Sequence, residues 1–354
     1  MARAKTSGPL RRGWTTGACA TAATRSALAA LLTGEFEDPV TITLPKGETP
    51  SFPLAREARG DGWAEAGIVK DAGDDPDVTH GATVRARVRL FGDGVAFRAG
   101  AGVGTVTKPG LPVAVGEPAI NPVPRAMMTA EVERLRALHD VRTGVEVTIA
   151  IDDGETLASK TWNPRLGIVG GLSVLGTTGV VHPFSCAAWI HSIHRGVDVA
   201  RATGEPRIVA ATGSTSEAAA LALYPVPATA VIDMGDFAGG LLKYLRAHPI
   251  PRVTIAGGFA KMTKLAQGAL DLHSSRSQVD LDHLSLWTMD EAIAVRVRSS
   301  NTAAEALSHA EHLGLAGIVA SRAHEQASQV LRGAPVELDI VVVDRTGTVV
   351  ARHG

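Results

Sequence analysis

The spacing of hydrophobic positions changes near the middle of this chain. In the first half, residues 18–32 are rich in Ala and Leu, follow Thr15-Thr16-Gly17 and stop at Gly34. That predicts a helix with a polar entry and a glycine exit. Residues 40–44, 84–90 and 145–151 alternate as strands do. In the second of these, Arg85, Arg87 and Arg89 share one face and Val84, Ala86, Val88 and Leu90 the other. A short polar helix is predicted over 130–139. Between these elements lie long loops, 70–80, 100–125 and 162–183. Loops of that length in a compact domain usually bind something or are strained for a purpose.

In the second half, the apolar run 208–211 ends in Thr212-Gly213-Ser214-Thr215-Ser216-Glu217 before an Ala-rich helix. The run 228–232 ends at Asp233, with a helix predicted near 237–247. The run 253–256 ends in Gly257-Gly258, with a helix from Phe259. A helix over 301–312 and a strand over 336–344 complete the pattern. Strand, glycine turn and helix, repeated three times, predict a parallel doubly wound sheet. The expected fold is thus a glycine-rich N-terminal α+β domain, residues 1–204, followed by a doubly wound, mostly parallel α/β (Rossmann-like) domain, residues 205–354.

Composition narrows the function. The 354 residues suit about two domains of ordinary size. With 35 Lys and Arg against 36 Asp and Glu, the chain lacks the basic excess of a generic nucleic-acid binder. Aromatic residues, at 4%, are too few for a single-strand stacking surface. Two cysteines, Cys19 and Cys186, exclude a disulfide scaffold and leave no CxxC zinc site. The start carries Arg3, Lys5, Arg11 and Arg12 without an apolar leader core. The longest uncharged apolar stretch, 167–181, has 15 residues, short of the ~20 a membrane helix needs. These features predict a soluble cytoplasmic protein with no membrane or nucleic-acid partner; a homo-oligomer stays open.

Several constellations could carry chemistry. The turn 212–217 leaves backbone N–H groups open at a helix N-terminus, and Asp233 ends the next strand 20 residues after Gly213. That is where a doubly wound domain holds a ribose hydroxyl pair, and the missing G-x-G-x-x-G favours a nucleoside over a dinucleotide. Plain structural turns, with Ser214 and Glu217 as a capping box, read equally well. Lys261 and Lys264 lie three apart in a helix that starts at Gly257-Gly258, where cations are disfavoured unless an anion offsets them. In Lys70-Asp71-Ala72-Gly73-Asp74-Asp75-Pro76-Asp77, the carboxylates either cap local backbone or hold a raised pKa and move a proton. Lys108 and Arg125 sit on Gly/Pro-stiffened loops, and Arg165 on a further Asn-Pro turn, an arrangement suited to an anionic ligand. His182, Cys186, His191 and His194 lack constrained spacing and a completing carboxylate, so no protein-held metal is expected.

Read in order, these motifs resemble the cobalt-precorrin-5B C(1)-methyltransferases of cobalamin biosynthesis. The matching segments are Gly13-Trp14-Thr15-Thr16-Gly17-Ala18, Lys70-Asp71-Ala72-Gly73-Asp74-Asp75-Pro76-Asp77 and Thr107-Lys108-Pro109-Gly110. They continue with Gly116-Glu117-Pro118-Ala119-Ile120-Asn121-Pro122, Asn163-Pro164-Arg165-Leu166-Gly167, Gly176-Thr177-Thr178-Gly179, Gly257-Gly258-Phe259 and Asn301-Thr302-Ala303-Ala304-Glu305. Trp14 and Ala18 stand where the family is expected to carry tyrosine and threonine. The resemblance implies S-adenosylmethionine as methyl donor, cobalt-precorrin-5B as acceptor, and cobalt-precorrin-6A and S-adenosylhomocysteine as products. Cobalt would arrive with the substrate. On position, Gly213, Ser214, Asp233, Gly257 and Gly258 are assigned to the donor. Thr15, Thr16, Lys108, Arg125, Arg165, Lys261 and Lys264 are assigned to substrate carboxylates, and Asp71, Asp74 or Asp75 to proton handling. An NAD(P)-dependent reductase and a non-catalytic corrinoid carrier are the competing readings.

Overall fold

The computed structural model describes residues 8–354, so Arg3 and Lys5 lie outside the described residues. The chain is a mixed α/β protein divided into two compact units, one ending at Ser185 and the next beginning at Cys186. The boundary expected near residue 204 therefore falls earlier.

In the first unit, helix α1 (Thr16–Thr33) takes Thr15 as N-cap and ends at Gly34 in the left-handed region, φ 89°. Its alanines are buried almost all round, which lets a sheet and a second helix approach closely. Buried Thr21 and Thr24 satisfy their hydroxyls by donating to Gly17 O and Ala20 O. The sheet contains β1 (Arg56–Gly60), β2 (Trp63–Val69), β3 (Thr83–Leu90), β4 (Val95–Ala99) and β5 (Val145–Ile151), in the order β1-β2-β3-β5-β4. Only the β5–β4 pair is parallel. Ala66, Ile68, Val84, Ala86, Val88, Val145, Val147 and Ile149 face the helical side. On the other face Glu65, 4% exposed, holds Arg56, Arg85 and Arg87, and Glu146 holds Arg89 and Arg98. The arginine stripe thus neutralises two carboxylates that burial alone would make costly.

Helix α2 spans Pro122–Leu138, eight residues longer at its start than the polar helix expected over 130–139. The prolines that read as loop sit in its first turn, where a missing N–H costs nothing. Of the predicted strand 40–44, only Val40–Thr41 forms a ladder.

The second unit opens with α3 (Cys186–Ala202), whose Ile193, Val197 and Ala200 enter the core of this unit; that packing sets the boundary. Its sheet contains β6 (Arg207–Ala211), β7 (Val231–Asp233), β8 (Arg252–Gly258), β9 (Glu337–Val343) and β10 (Val349–His353), in the order β7-β6-β8-β9-β10. All neighbours are parallel except β9–β10. Helix α4 (Ser214–Leu223) packs on one face over Val209, Ala211, Ala256 and Val341. Helices α3, α5 (Ala238–Leu245), α6 (Phe259–Ala266) and α7 (Leu315–Leu331) cover the other. The chain crosses from one face to the other between β6 and β8, which is where such sheets open a ligand crevice.

Candidate active site

Two motifs 60 residues apart form one backbone layer in the first unit. Trp14 N–H donates to Asp71 O at 2.7 Å, Asp74 N–H to Arg11 O at 3.0 Å, and Arg11 N–H to Asp74 Oδ2 at 2.6 Å. The approach is so close that a Cβ at Gly13 would lie 2.1 Å from the Ala72 carbonyl carbon. The acidic turn thus packs backbone to backbone against the 11–14 segment. Asp71 receives the Arg11 guanidinium on both oxygens and the Gly73 N–H at 2.9 Å. The Arg11 hydrogen bond leads in holding its carboxyl down to about 2, against the raised value expected of a proton carrier. Asp75 accepts the N–H of Phe184 at 2.8 Å. So Asp74 and Asp75 tie down backbone.

Sequence reasoning missed the buried pair beneath this turn. Lys70, 1% exposed, reaches Asp77 at 2.7 Å, and Asp77 also accepts from Thr79 N and Oγ1. Burial would push the Asp77 carboxyl up, but the Lys70 charge and these donors bring it below its ordinary value. The signal was the lysine at the end of an apolar strand. Nearby Cys19 is fully buried, which pushes its thiol up to about 12 and disfavours the thiolate.

The residues assigned to substrate carboxylates divide. Thr15 Oγ1 accepts the Ala18 N–H as N-cap, and Thr16 Oγ1 exchanges hydrogen bonds with Leu175 N and O; both side chains are buried. Arg125 donates to Ile120 O and Pro118 O and pairs with Glu117, so it ties its own loop. In this structure all three side chains shape their own loops. Lys108 is exposed, and its stem packs on Gly167 beside Arg165. The ladder between Thr105–Val106 and Ile168–Val169, with Thr107 N–H donating to Gly167 O at 2.8 Å, brings those two loops together.

In the second unit, pairing of Ala211 with Asp233 and with Ala256 puts Gly213, Ser214, Asp233, Gly257 and Gly258 along one carboxyl edge. Gly213 is the N-cap of α4 and Gly258 of α6, and neither has an atom within 4 Å of its would-be Cβ. With a glycine as N-cap, Ser214 is already the first helical residue and the expected Ser214/Glu217 capping box does not form. Lys261 donates to Thr212 O at 2.9 Å and lies 3.0 Å from Asp236 Oδ1. The anion opposite this lysine is thus the protein's own. Lys264 is buried and donates to Leu272 O at 2.9 Å; desolvation lowers its pKa. In this structure both lysines anchor loops.

Trp189, which sequence reasoning passed over, completes this edge. It reaches from α3 to donate its indole Nε1–H to Asp233 O at 3.2 Å. A cavity of about 470 Å³ lined by His324, Ser328, Asp339 and His353 lies at the opposite, amino edge and includes none of the predicted residues. Among the described residues, no three His, Cys, Asp or Glu side chains gather as a metal site, and no helix is long and apolar enough to cross a membrane. His194 instead stacks on Tyr244, ring centroids 3.9 Å apart.

Comparison with known proteins gives these motifs a context. A protein of Brucella anthropi named cobalt-precorrin-5B C(1)-methyltransferase is 62% identical over 97% of this chain and 95% of its own length. One of Brucella canis with the same name is 61% identical over the same shares. The crystal structure of the cobalamin biosynthesis protein CbiD from Archaeoglobus fulgidus is similar at 28% identity and a TM-score of 0.40, over 75% of this chain and 83% of its own. The model of the CbiD C-terminal domain matches residues 271–354, and that of CbiD itself matches residues 3–183. The chain belongs to the CbiD family.

Proposed function

We propose that this protein methylates C-1 of cobalt-precorrin-5B, with S-adenosylmethionine as donor, to give cobalt-precorrin-6A in cobalamin biosynthesis. The observation that carries this reading is the 62% identity extending over 97% of the chain to a methyltransferase of that name. In the reaction the ring carbon forms its bond to the methyl group as the sulfur–methyl bond breaks, and the electron pair stays on sulfur. The donor is already activated, so the protein's main task is alignment, which effective-molarity arguments value at up to ~7–11 kcal/mol.

The carboxyl edge of the second unit supports a donor site: Gly213 and Gly258 offer open backbone beside Ser214 and Gly257, and Asp233 ends the neighbouring strand, where such sheets present an acid to a ribose. Lys108 and Arg165, on loops held side by side, support a carboxylate-binding role toward the acceptor. Cobalt, on this reading, is substrate cargo. The test incubates the protein with the corrinoid and S-adenosylmethionine and weighs the product. Gain of one methyl group is expected; corrinoid binding without that gain would mean a carrier, and a mass change that needs NADPH would mean a reductase. Asp233→Asn is expected to lose S-adenosylhomocysteine affinity by calorimetry while its melting temperature holds.

A further inference from the structure

We propose that the face of the first unit's sheet turned away from α1 and α2 binds the carboxylates round the rim of the corrinoid, an inference that rests on the corrinoid reading of the acceptor. Strand register lays this face out in rows. Glu65 stands opposite Arg87, Arg87 opposite Thr148, and Thr148 opposite Arg98. In the next row Trp63 stands opposite Arg89, and Arg89 opposite Glu146. Charge on the face is sorted by depth. The Glu65 and Glu146 side chains are 4% and 7% exposed, whereas those of Arg87, Arg89 and Arg98 are 49%, 50% and 61% exposed. Each of these arginines gives its Nε–H to a buried acid: Arg87 to Glu65 at 3.1 Å, Arg89 to Glu146 at 2.7 Å and Arg98 to Glu146 at 3.0 Å. Their Nη groups make no hydrogen bond among the described residues. Arg87 also lies over the Trp63 ring at 4.1 Å, and Arg89 over the Phe91 ring at 4.7 Å. The acids thus form a floor that fixes the guanidinium groups, and what meets solvent is a set of held forks. Such a fork takes a carboxylate by two parallel hydrogen bonds, and holding it beforehand removes part of the ordering cost of binding.

Arg56 and Arg85 share Glu65 with Arg87, and Asp152 at the rim takes Arg85. The face therefore carries five arginines against three acids. That excess suits an anion, and the size of the face selects which kind. Five strands at ~4.8 Å spacing span about 19 Å, and seven residues at ~3.3 Å about 23 Å, so the face offers on the order of 400 Å². A stable protein interface takes ~800 Å² from each partner, so an acidic protein would find half of what it needs. A second copy would set arginines against arginines. A single-stranded nucleic acid needs rings to stack on, and Trp63 and Phe91 already carry guanidinium groups. A ring bearing several carboxylates fits what is left: Arg87 and Arg98, two strands and about 10 Å apart, would take separate carboxylates of one molecule.

Titration of the full chain with uroporphyrin III, an octacarboxylate tetrapyrrole, tests this by absorbance. Coproporphyrin III, with half as many carboxylates, should bind more weakly. The deciding variant is Arg87→Gln/Arg98→Gln, because Glu65 keeps Arg56 and Arg85, and Glu146 keeps Arg89. Its affinity for uroporphyrin should fall about 10-fold or more, the loss of two charge-assisted pairs. Thr148→Glu sets a carboxylate between the same two arginines and should weaken binding as far, which keeps the test open if the double variant fails to fold. Affinity within about threefold of the wild type in either folded variant, equal binding of the two porphyrins, or no binding by the wild type would overturn the face. Equal displacement of uroporphyrin by a single-stranded oligonucleotide would mean a general polyanion surface and overturn the occupant. Methyl transfer by the wild type alongside any of these results would leave the proposed function standing. Uroporphyrin binding through this face in a protein that methylates no corrinoid would keep the face and overturn the methyl-transfer reading.

Discussion

Two pairs of glycines, one pair in each unit, face opposite surroundings. In the first, a Cβ at Gly102 would lie 2.0 Å from the carbonyl oxygen of Ile151, and one at Gly13 would lie 2.1 Å from the carbonyl carbon of Ala72. In the second, Gly213 and Gly258 have no atom within 4 Å of that position. The crowded glycines let distant segments meet backbone to backbone, so they hold the loops in shape. The open ones leave the ends of two strands bare. The largest expected effect follows directly. Gly102, at φ 75°, is both left-handed and blocked, so Gly102→Ala should cost at least about 4 kcal/mol in denaturant unfolding. A loss under 1 kcal/mol would mean that the first unit's loops are looser than their packing implies.

How much of this could be read from the chain differs between the units for the same reason. The second unit was largely legible, because strand, glycine turn and helix each leave a local signal; the strands ending at 211 and 233 stop where the runs end, whereas β8 continues through Gly257-Gly258 to the helix at Phe259. The first unit was legible as motifs but not as geometry. Strands Arg56–Gly60 and Val95–Ala99 are short and partly polar, and periodicity passes over such segments. The roles of Thr15, Thr16 and Arg125 depend on partners as remote as Leu175 or as local as Pro118, and no spacing rule gives those. Residue type alone does not say whether a charge is available to a ligand; Lys70, Lys264 and Asp71 each have an internal partner.

Ion pairs sharpen the contrast. Lys70–Asp77 has one partner 1% exposed, whereas Lys261 and Asp236 are 35% and 22% exposed. Asp77→Ala strands a buried ammonium and should cost about 3 kcal/mol. Asp236→Ala leaves Lys261 its Thr212 carbonyl and some water, so about 1 kcal/mol or less is expected. Equal losses in urea midpoints would erase the distinction. The acid response carries the same sign. Asp71 and Asp77 both have folded pKa values below their ordinary ones, Asp71 at about 2. Their contribution is present above pH ~4, where the unfolded carboxylates are ionised, and is lost as pH falls toward 2. Asp71→Asn should flatten the fall of stability between pH 4 and 2; an unchanged slope would remove Asp71 from the account.

For the acceptor loops, Lys108→Ala and Arg165→Ala should each raise KM for the corrinoid roughly 5- to 10-fold with kcat nearly unchanged, since carboxylate contacts remote from the reacting carbon bind ground and transition states alike. An unchanged KM in both would place the acceptor elsewhere.

The smallest expected effect on the fold is also the most discriminating. Gly258 has φ −62°, an ordinary value for any residue, and open space where a methyl group would go. Gly258→Ala should therefore leave stability within about 0.5 kcal/mol of the wild type. If the open space belongs to the donor, the added methyl group occupies ligand volume, and affinity for S-adenosylhomocysteine should fall several-fold while the melting curve stays put. Gly102→Ala should fail in the opposite way, unfolding first. A Gly258→Ala protein that melts normally and binds donor normally would show that an open glycine at this strand end serves the turn alone, and the donor assignment would then rest on Gly213 and Asp233.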